Sequence, residues 1–250
     1  GDVPGGVPEQ TDHIFRWIKP LTVPIWREAG AVVTAAPHIQ HLARQSYDVP
    51  ILLLPNGIDV AGMTPSPTIP GNPVRLVFAG RFSLQKNPLF LFRALAEVRE
   101  LPWRLDVLGD GPLKPAAETL AGQLGLAPKV KFHGWVSPEA FLAIMQHSDI
   151  LLMPSRSEGL PMVGVTALAT GLAILGSRVG GVSDLVEPGR NGFLVPVDDA
   201  PAFAESLRMM LNLEVLTGMK RASRQLAYRF DLAAMTRRLE NILTACLAAR

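Results

Sequence analysis

Two basic side chains, Arg81 and Lys86, share the stretch AGRFSLQKN. Arg grips a phosphate with a planar fork of donors, and Lys meets it as a point charge. Gly80, just before them, has no Cβ to keep an anion away from the backbone. Farther along, a lone carboxylate, Glu158, opens SRSEGLPMVGVTALATGLAILGS, and no charge follows from Gly159 to Ser177. A helix starting after Gly159 turns free N–H groups and a positive dipole end toward the same kind of ligand. Together these groups suit an anion such as a phosphate. Each charge-assisted hydrogen bond would contribute about 1.5–3 kcal/mol. Taken singly, each part has a plainer reading: loop charges in water, and a carboxylate resting on a helix dipole.

The elements that must bring these residues together are legible as a rhythm. VRLVFAG, WRLDVLG, VKFHG, DILLMPS, AILGS and GFLVP read as strands. NPLFLFRALAEVRE, LKPAAETLAGQLG, SPEAFLAIMQHS and APAFAESLRMMLN read as helices between or after them, with short Gly- and Pro-bearing connections. Ser137 is placed to cap SPEA, with Pro138 at the first helical position. Such alternation predicts an α/β class, a Rossmann-like doubly wound parallel sheet with helices on both faces. Ligands then sit beyond the carboxyl ends of the strands, where the loops carrying Arg81, Lys86 and Glu158 fall. Upstream, AGAVVTAAP and VPILLLPNG read as two short strands around the helix HIQHLARQSY, and AGMTPSPTIPGN as a linker. The expected division is an N-terminal segment over 1–60, a linker over 61–73, a doubly wound domain over 74–213, and C-terminal helices over 214–250.

The uncharged run from Gly159 to Ser177 is long enough to cross a bilayer. Pro161, Gly164, Gly171 and Gly176 interrupt it, and no aromatic belt flanks it. It reads instead as a buried helix ended by Gly171 and followed by the strand LAILG. With 24 basic and 22 acidic side chains, a net charge of +2 argues against a broad nucleic-acid surface. The single cysteine, Cys246, excludes an internal disulfide framework, and a reducing, cytoplasmic setting fits. His38 and His41 lie three apart, but no third ligand is near in sequence, so a surface or capping role is expected rather than a metal site. Asp110 in GDGP reads as a turn former, and GSRVGG as either a phosphate nest or a turn. Arg16, Trp17, Lys19 and Trp26 mix aromatic and basic side chains. That mixture suits a partner-facing or core helix, with peripheral membrane contact as the alternative. The opening GDVPGG has no leader-like pattern and no Met, and is expected to be a fragment boundary.

VFAGRFSLQKNPLFLFRALAEV, VLGDGP, VKFHGWV, SDILLMPSRSEGLPMV and GSRVGGVSDLVEPGRNGFLVPVDD occur here in the order and register that resemble retaining glycosyltransferases of the GT-B fold, the family-4 group. The resemblance covers nearly all of 74–213. WREAGAVVTAAPHIQHLA with LLPNGIDV resembles the end of the same enzymes' N-terminal domain. The resemblance implies the C-terminal half of a GT-B fold with a truncated N-terminal domain, binding a nucleotide-sugar donor without a metal or other cofactor. On it, Arg81 and Lys86 match the pair that holds the diphosphate, and Gly80 the glycine that admits it. Glu158 matches the first acid of a paired-glutamate motif directed at donor-sugar hydroxyls. Ser155, Gly159, Leu160 and Pro161 belong to the donor loop and helix start. Phe132, His133 and Gly134 match the strand end beside the base.

Two departures accompany the resemblance. The second acid of the pair falls at Thr166, which is shorter and neutral, so weakened or altered ribose binding is expected. Most of the N-terminal domain's pattern is absent, so a partner chain or a missing N-terminal half is expected to complete the transferase. A catalytically degenerate nucleotide-sugar-binding or assembly subunit is the alternative. A dinucleotide-dependent oxidoreductase is disfavoured, since no G-x-G-x-x-G follows the first strand of the domain.

Overall fold

The structure, a computed structural model, describes residues 8–248, with side chains from Trp17 onward. The opening GDVPGG and the side chain of Arg16 lie outside the described residues. The elements run α1 (Pro8–Glu28), β1 (Val32–Thr34), α2 (Pro37–Ser46), β2 (Ile51–Leu53), β3 (Val74–Ala79), α3 (Pro88–Ala96), β4 (Trp103–Leu108), α4 (Lys114–Gln123), β5 (Val130–Gly134), α5 (Pro138–Gln146), β6 (Ile150–Met153), α6 (Met162–Thr170), β7 (Ala173–Ser177), α7 (Gly180–Ser183), β8 (Gly192–Val195), α8 (Ala200–Met210), α9 (Leu213–Ala227) and α10 (Leu232–Ala248). Six strands form one sheet in the order β5-β4-β3-β6-β7-β8, every neighbouring pair parallel. The order turns back between β3 and β6. That reversal opens a crevice at their carboxyl ends.

Strand patterning explains why both faces are covered. On β3, Leu76 and Phe78 face a core shared with α3 and α8, while Val77 faces the other, shared with α6 and α9. On β6, Ile150 and Leu152 join the first core and Leu151 and Met153 the second. A strand apolar on both sides is what a helix-covered parallel sheet requires, and each fully buried side chain contributes about 1.5–3 kcal/mol.

The uncharged run resolves into the loop before α6, α6 itself, and β7. Seven of the nine residues of α6 are buried, from Gly164 to Thr170, and Gly171 ends the helix in the left-handed conformation (φ 74°, ψ 34°). Among the described residues no helix is long and apolar enough to cross a membrane. Ser137 caps α5 by accepting the Ala140 N–H at 3.2 Å. The C-terminal part expected as helices over 214–250 holds α9 and α10. A 3-10 turn, Tyr228–Phe230, separates α9 from α10, and Asp231 starts the second by accepting the Ala234 N–H. Periodicity runs across such a break because a short 3-10 turn shifts the helix face only slightly.

The two short strands pair in parallel as a separate sheet, Val32 beside Ile51. On α2, Gln40 and Arg44 donate to the Ile51 carbonyl, and Tyr47 stacks on Trp26 at 4.0 Å. Thus Trp26 is tied to this small core, whereas Trp17, Leu21 and Ile25 form an exposed stripe on α1. The chain's last part returns here: Arg238 donates to the Leu53 carbonyl, and Ile58 pairs with Asp231.

Candidate active site at the switch point of the sheet

The loops after β3 and β6 flank the crevice and are stitched together. Arg156 N–H donates to the Gln85 carbonyl at 2.8 Å, and Gln85 Nε2 donates to the Ser157 carbonyl at 3.0 Å. This stitching places Lys86 Nζ 2.5 Å from Glu158 Oε1. Ser155 Oγ donates to the same oxygen at 2.6 Å. Glu158 is 6% exposed and Lys86 20%, so the pair is largely out of water but reachable from the crevice. Gly80 lies under the Lys86 stem; a Cβ there would sit 3.4 Å from Lys86 Cδ.

Arg81 is exposed and lines a cavity of about 400 Å³ at the ends of β3 and β4. Trp135, Val136, Phe141 and Val163 supply its apolar wall. That volume is in the range of small-molecule sites, and an apolar wall beside one cation is a common lining. The cavity and the Lys86–Glu158 pair are thus two parts of one crevice, with Gly80 and Arg81 between them.

Three features shape the rest of the site. The start of α6 leaves the N–H groups of Met162 and Val163 without backbone acceptors, while Gly164 and Val165 bond back to the Pro161 carbonyl. Leu160 is half-buried beside Pro161, and Gly159 is exposed. Gly181 packs directly on Gly159: an added Cβ would lie 1.3 Å from the Gly159 carbonyl oxygen. GSRVGG is therefore a close-packing turn that opens α7, and its Gly181 N–H donates to the Glu158 carbonyl. Across from it stands His38 of α2, its Nδ1 3.5 Å from Asp184 Oδ2. That is an ionic distance rather than a hydrogen bond, and both atoms are buried without another partner.

Other residues singled out in the sequence are placed differently. Phe132 is directed into the core, its ring 5.7 Å from Phe92 and 6.4 Å from Phe82. His133 pairs with Asp106 at 2.6 Å. Gly134 accepts the Gly109 N–H through its carbonyl and leads into Trp135, which does line the cavity. Thr166 is 9% exposed, and its hydroxyl donates to the Met162 carbonyl one turn back at 2.9 Å. Asp110 makes a turn, accepting the Gly111 N–H, and its carbonyl holds the Phe82 N–H. His41 bonds to Gln45. Among the described residues no three His, Cys, Asp or Glu side chains converge as ion ligands. Residues missed in the sequence are Trp135, Phe141 and Val163, whose shared cavity arises from three separate loops and helices. The contact of His38 with Asp184, 146 positions along the chain, has no local signal in the sequence.

The family model described as Glycosyl transferases group 1 matches residues 73–212. A D-inositol 3-phosphate glycosyltransferase of Streptomyces avermitilis is 34% identical over 185 residues, covering 69% of this chain and 40% of that protein. Its counterpart in Streptomyces scabiei is 37% identical over 142 residues, covering 52% and 32%. The chain spans half or less of the length of the curated relatives it matches. Among solved structures, Anabaena Alr3699/HepE in complex with UDP and glucose superposes with a TM-score of 0.81 at 22% identity, over 96% of this chain and 69% of that one. At that identity the likeness speaks for the fold. A match over more than half of the chain, on a sheet of this topology, places the protein in the glycosyl transferases group 1 family, with the GT-B fold.

Proposed function

We propose that the crevice binds a nucleotide sugar and that the chain carries the donor side of a retaining transferase of the family-4 group. The observation that carries this reading is the meeting of Arg81, the Lys86–Glu158 pair and the open start of α6 around the switch point, beside an apolar cavity. In this reading the base enters the cavity against Trp135 and Phe141. The diphosphate lies between Arg81, Lys86 and the N–H groups of Met162 and Val163. Glu158 faces the sugar hydroxyls. When the bond from the anomeric carbon to the diphosphate oxygen breaks, its electron pair moves onto the diphosphate. Arg81, Lys86 and the helix dipole are already aimed at that charge, so little reorganisation is needed. The acceptor hydroxyl attacks from the departing side and gives its proton to the leaving phosphate, which retains configuration.

A panel of UMP, GMP and AMP, the corresponding diphosphates and their glucose conjugates tests the reading by thermal unfolding. One nucleotide series is expected to raise Tm with concentration, the diphosphate more than the monophosphate. No stabilisation by any member would contradict it.

Thr166 sets a second expectation. Its hydroxyl proton is committed to Met162, so it offers a ribose only a weak acceptor. Thr166→Glu is expected to tighten nucleoside diphosphate binding about tenfold, in line with the lower end of about 1.5–3 kcal/mol for a charged hydrogen bond. It is also expected to lower Tm in the absence of nucleotide, because the new carboxylate is buried. Calorimetric titration checks the first, and an unchanged affinity would refute it.

A further inference from the structure

Among the described residues, only two other than glycine have a left-handed backbone, Asn87 (φ 55°) and Asp198 (φ 62°). They lie 111 positions apart in sequence and are bonded to each other, Asn87 Nδ2 donating to Asp198 Oδ1 at 2.8 Å. Arg156 Nη2 donates to the other carboxylate oxygen at 3.0 Å. Left-handed backbone is disfavoured once a residue has a Cβ, least so for Asn and Asp. It persists where the surroundings fix it, often beside a working site. Here the three residues come from three loops, those after β3, β6 and β8. Asn87 directly follows Lys86, and Arg156 lies two residues before Glu158. The trio lines a second cavity of about 380 Å³, which shares no lining residue with the one beside Arg81.

A plainer account makes each a turn residue serving its own helix. Asn87 does precede Pro88 of α3, and Asp198 precedes Asp199, which caps α8 by accepting the Ala202 N–H. That account leaves the bond between the two unexplained. Asn87 does not use its side chain to cap α3; the amide reaches across to Asp198 instead. The loop after β8, which carries no candidate phosphate ligand, is thereby joined to the two loops that do.

We propose that Asn87, Arg156 and Asp198 are positioning residues: together they lock the three loops so that Lys86 and Glu158 stay at ion-pair distance, and so set the affinity for a diphosphate. The proposal rests on the donor-site reading above. Glycine favours left-handed backbone, so Asn87→Gly and Asp198→Gly remove the side-chain bond without forcing the turn. Each is expected to weaken UDP binding about tenfold in calorimetry, with Tm within about 3 °C of the parent. The double variant is expected to lose no more than Asp198→Gly alone, because Asp198→Gly already removes the bond to Asn87 together with the contact to Arg156. Asp198→Asn keeps an acceptor for Asn87 but gives up the ion pair with Arg156, and is expected to bind more tightly than Asp198→Gly and less tightly than the parent. Single variants within twofold of the parent, or losses that multiply in the double variant, would overturn the proposal. A crystal structure of Asp198→Gly decides it independently of any nucleotide. Separation of Lys86 Nζ from Glu158 supports the proposal, and an unchanged contact refutes it. If the parent binds none of UDP, GDP or ADP, the donor reading fails and this distance alone decides the positioning.

Discussion

Replacing Lys220 by methionine is expected to destabilise the protein by about 3–5 kcal/mol, the cost of leaving a buried charge without its main partner. Lys220 of α9 is 1% exposed, with Nζ 2.6 Å from Asp149 Oδ1 and 3.1 Å from Ser66 Oγ. Asp149, fully buried at the head of β6, also accepts from the Arg75 N–H at 3.0 Å and from Arg75 Nε at 3.3 Å. Burial pushes the Lys220 ammonium toward losing its proton, and Asp149 opposes that. Ser66, from the stretch before β3, donates to the Ser148 carbonyl and so ties that stretch into the network. Arg75 keeps part of the Asp149 charge satisfied, which places the expected loss nearer the lower figure. Replacing both partners, Asp149→Leu with Lys220→Met, is expected to recover part of it, since an apolar pair removes the unpaired carboxylate but leaves the Arg75 N–H without its acceptor. Urea unfolding of the two variants checks this. A single variant within about 1 kcal/mol of the parent would contradict it. The network lies at the amino ends of the strands, so nucleotide affinity in the refolded single variant should stay within about twofold.

Much of this arrangement is legible from residue types alone. The alternation of apolar runs and helical periods predicts the parallel sheet, and Pro161, Gly164 and Gly171 turn an apparent membrane span into α6. The order of loops brings Arg81, Lys86 and Glu158 to one end of the sheet. What is not legible depends on contacts between distant segments. The direction of Phe132 follows from strand alternation only once its pairing with Val107 of β4 is known, and the register shifts just after that pair, where Leu108 meets Gly134. The Asn87–Asp198 bond joins two turn residues whose sequence context says only that each precedes a helix. Lys220 reads as one more charge on a basic, amphipathic helix; its burial comes from how α9 crosses α6.

The second large effect concerns the site itself. Lys86→Ala and Arg81→Ala are each expected to weaken nucleoside diphosphate binding about 10- to 100-fold, the equivalent of one charge-assisted hydrogen bond. Their signatures should differ. Lys86 is held by Glu158, so its removal leaves that carboxylate with Ser155 as its remaining partner. An unpaired carboxylate then repels the incoming anion. Arg81 is exposed and has no such partner to leave behind, so its loss should cost less and depend more on salt. Arg81→Ala should leave Tm within a few degrees, because Arg81 is exposed, whereas Lys86→Ala should lower it further, because Glu158 is then left buried without its cation.

The most direct test is a calorimetric comparison of UDP with UMP, or of the corresponding pair for whichever base binds, on the parent and on Lys86→Ala. The account predicts that the parent prefers the diphosphate by at least about tenfold and that Lys86→Ala removes most of that preference, weakening the diphosphate more than the monophosphate. Equal affinity of the parent for the two nucleotides, or a preference that survives the loss of Lys86, would contradict a diphosphate site at the switch point.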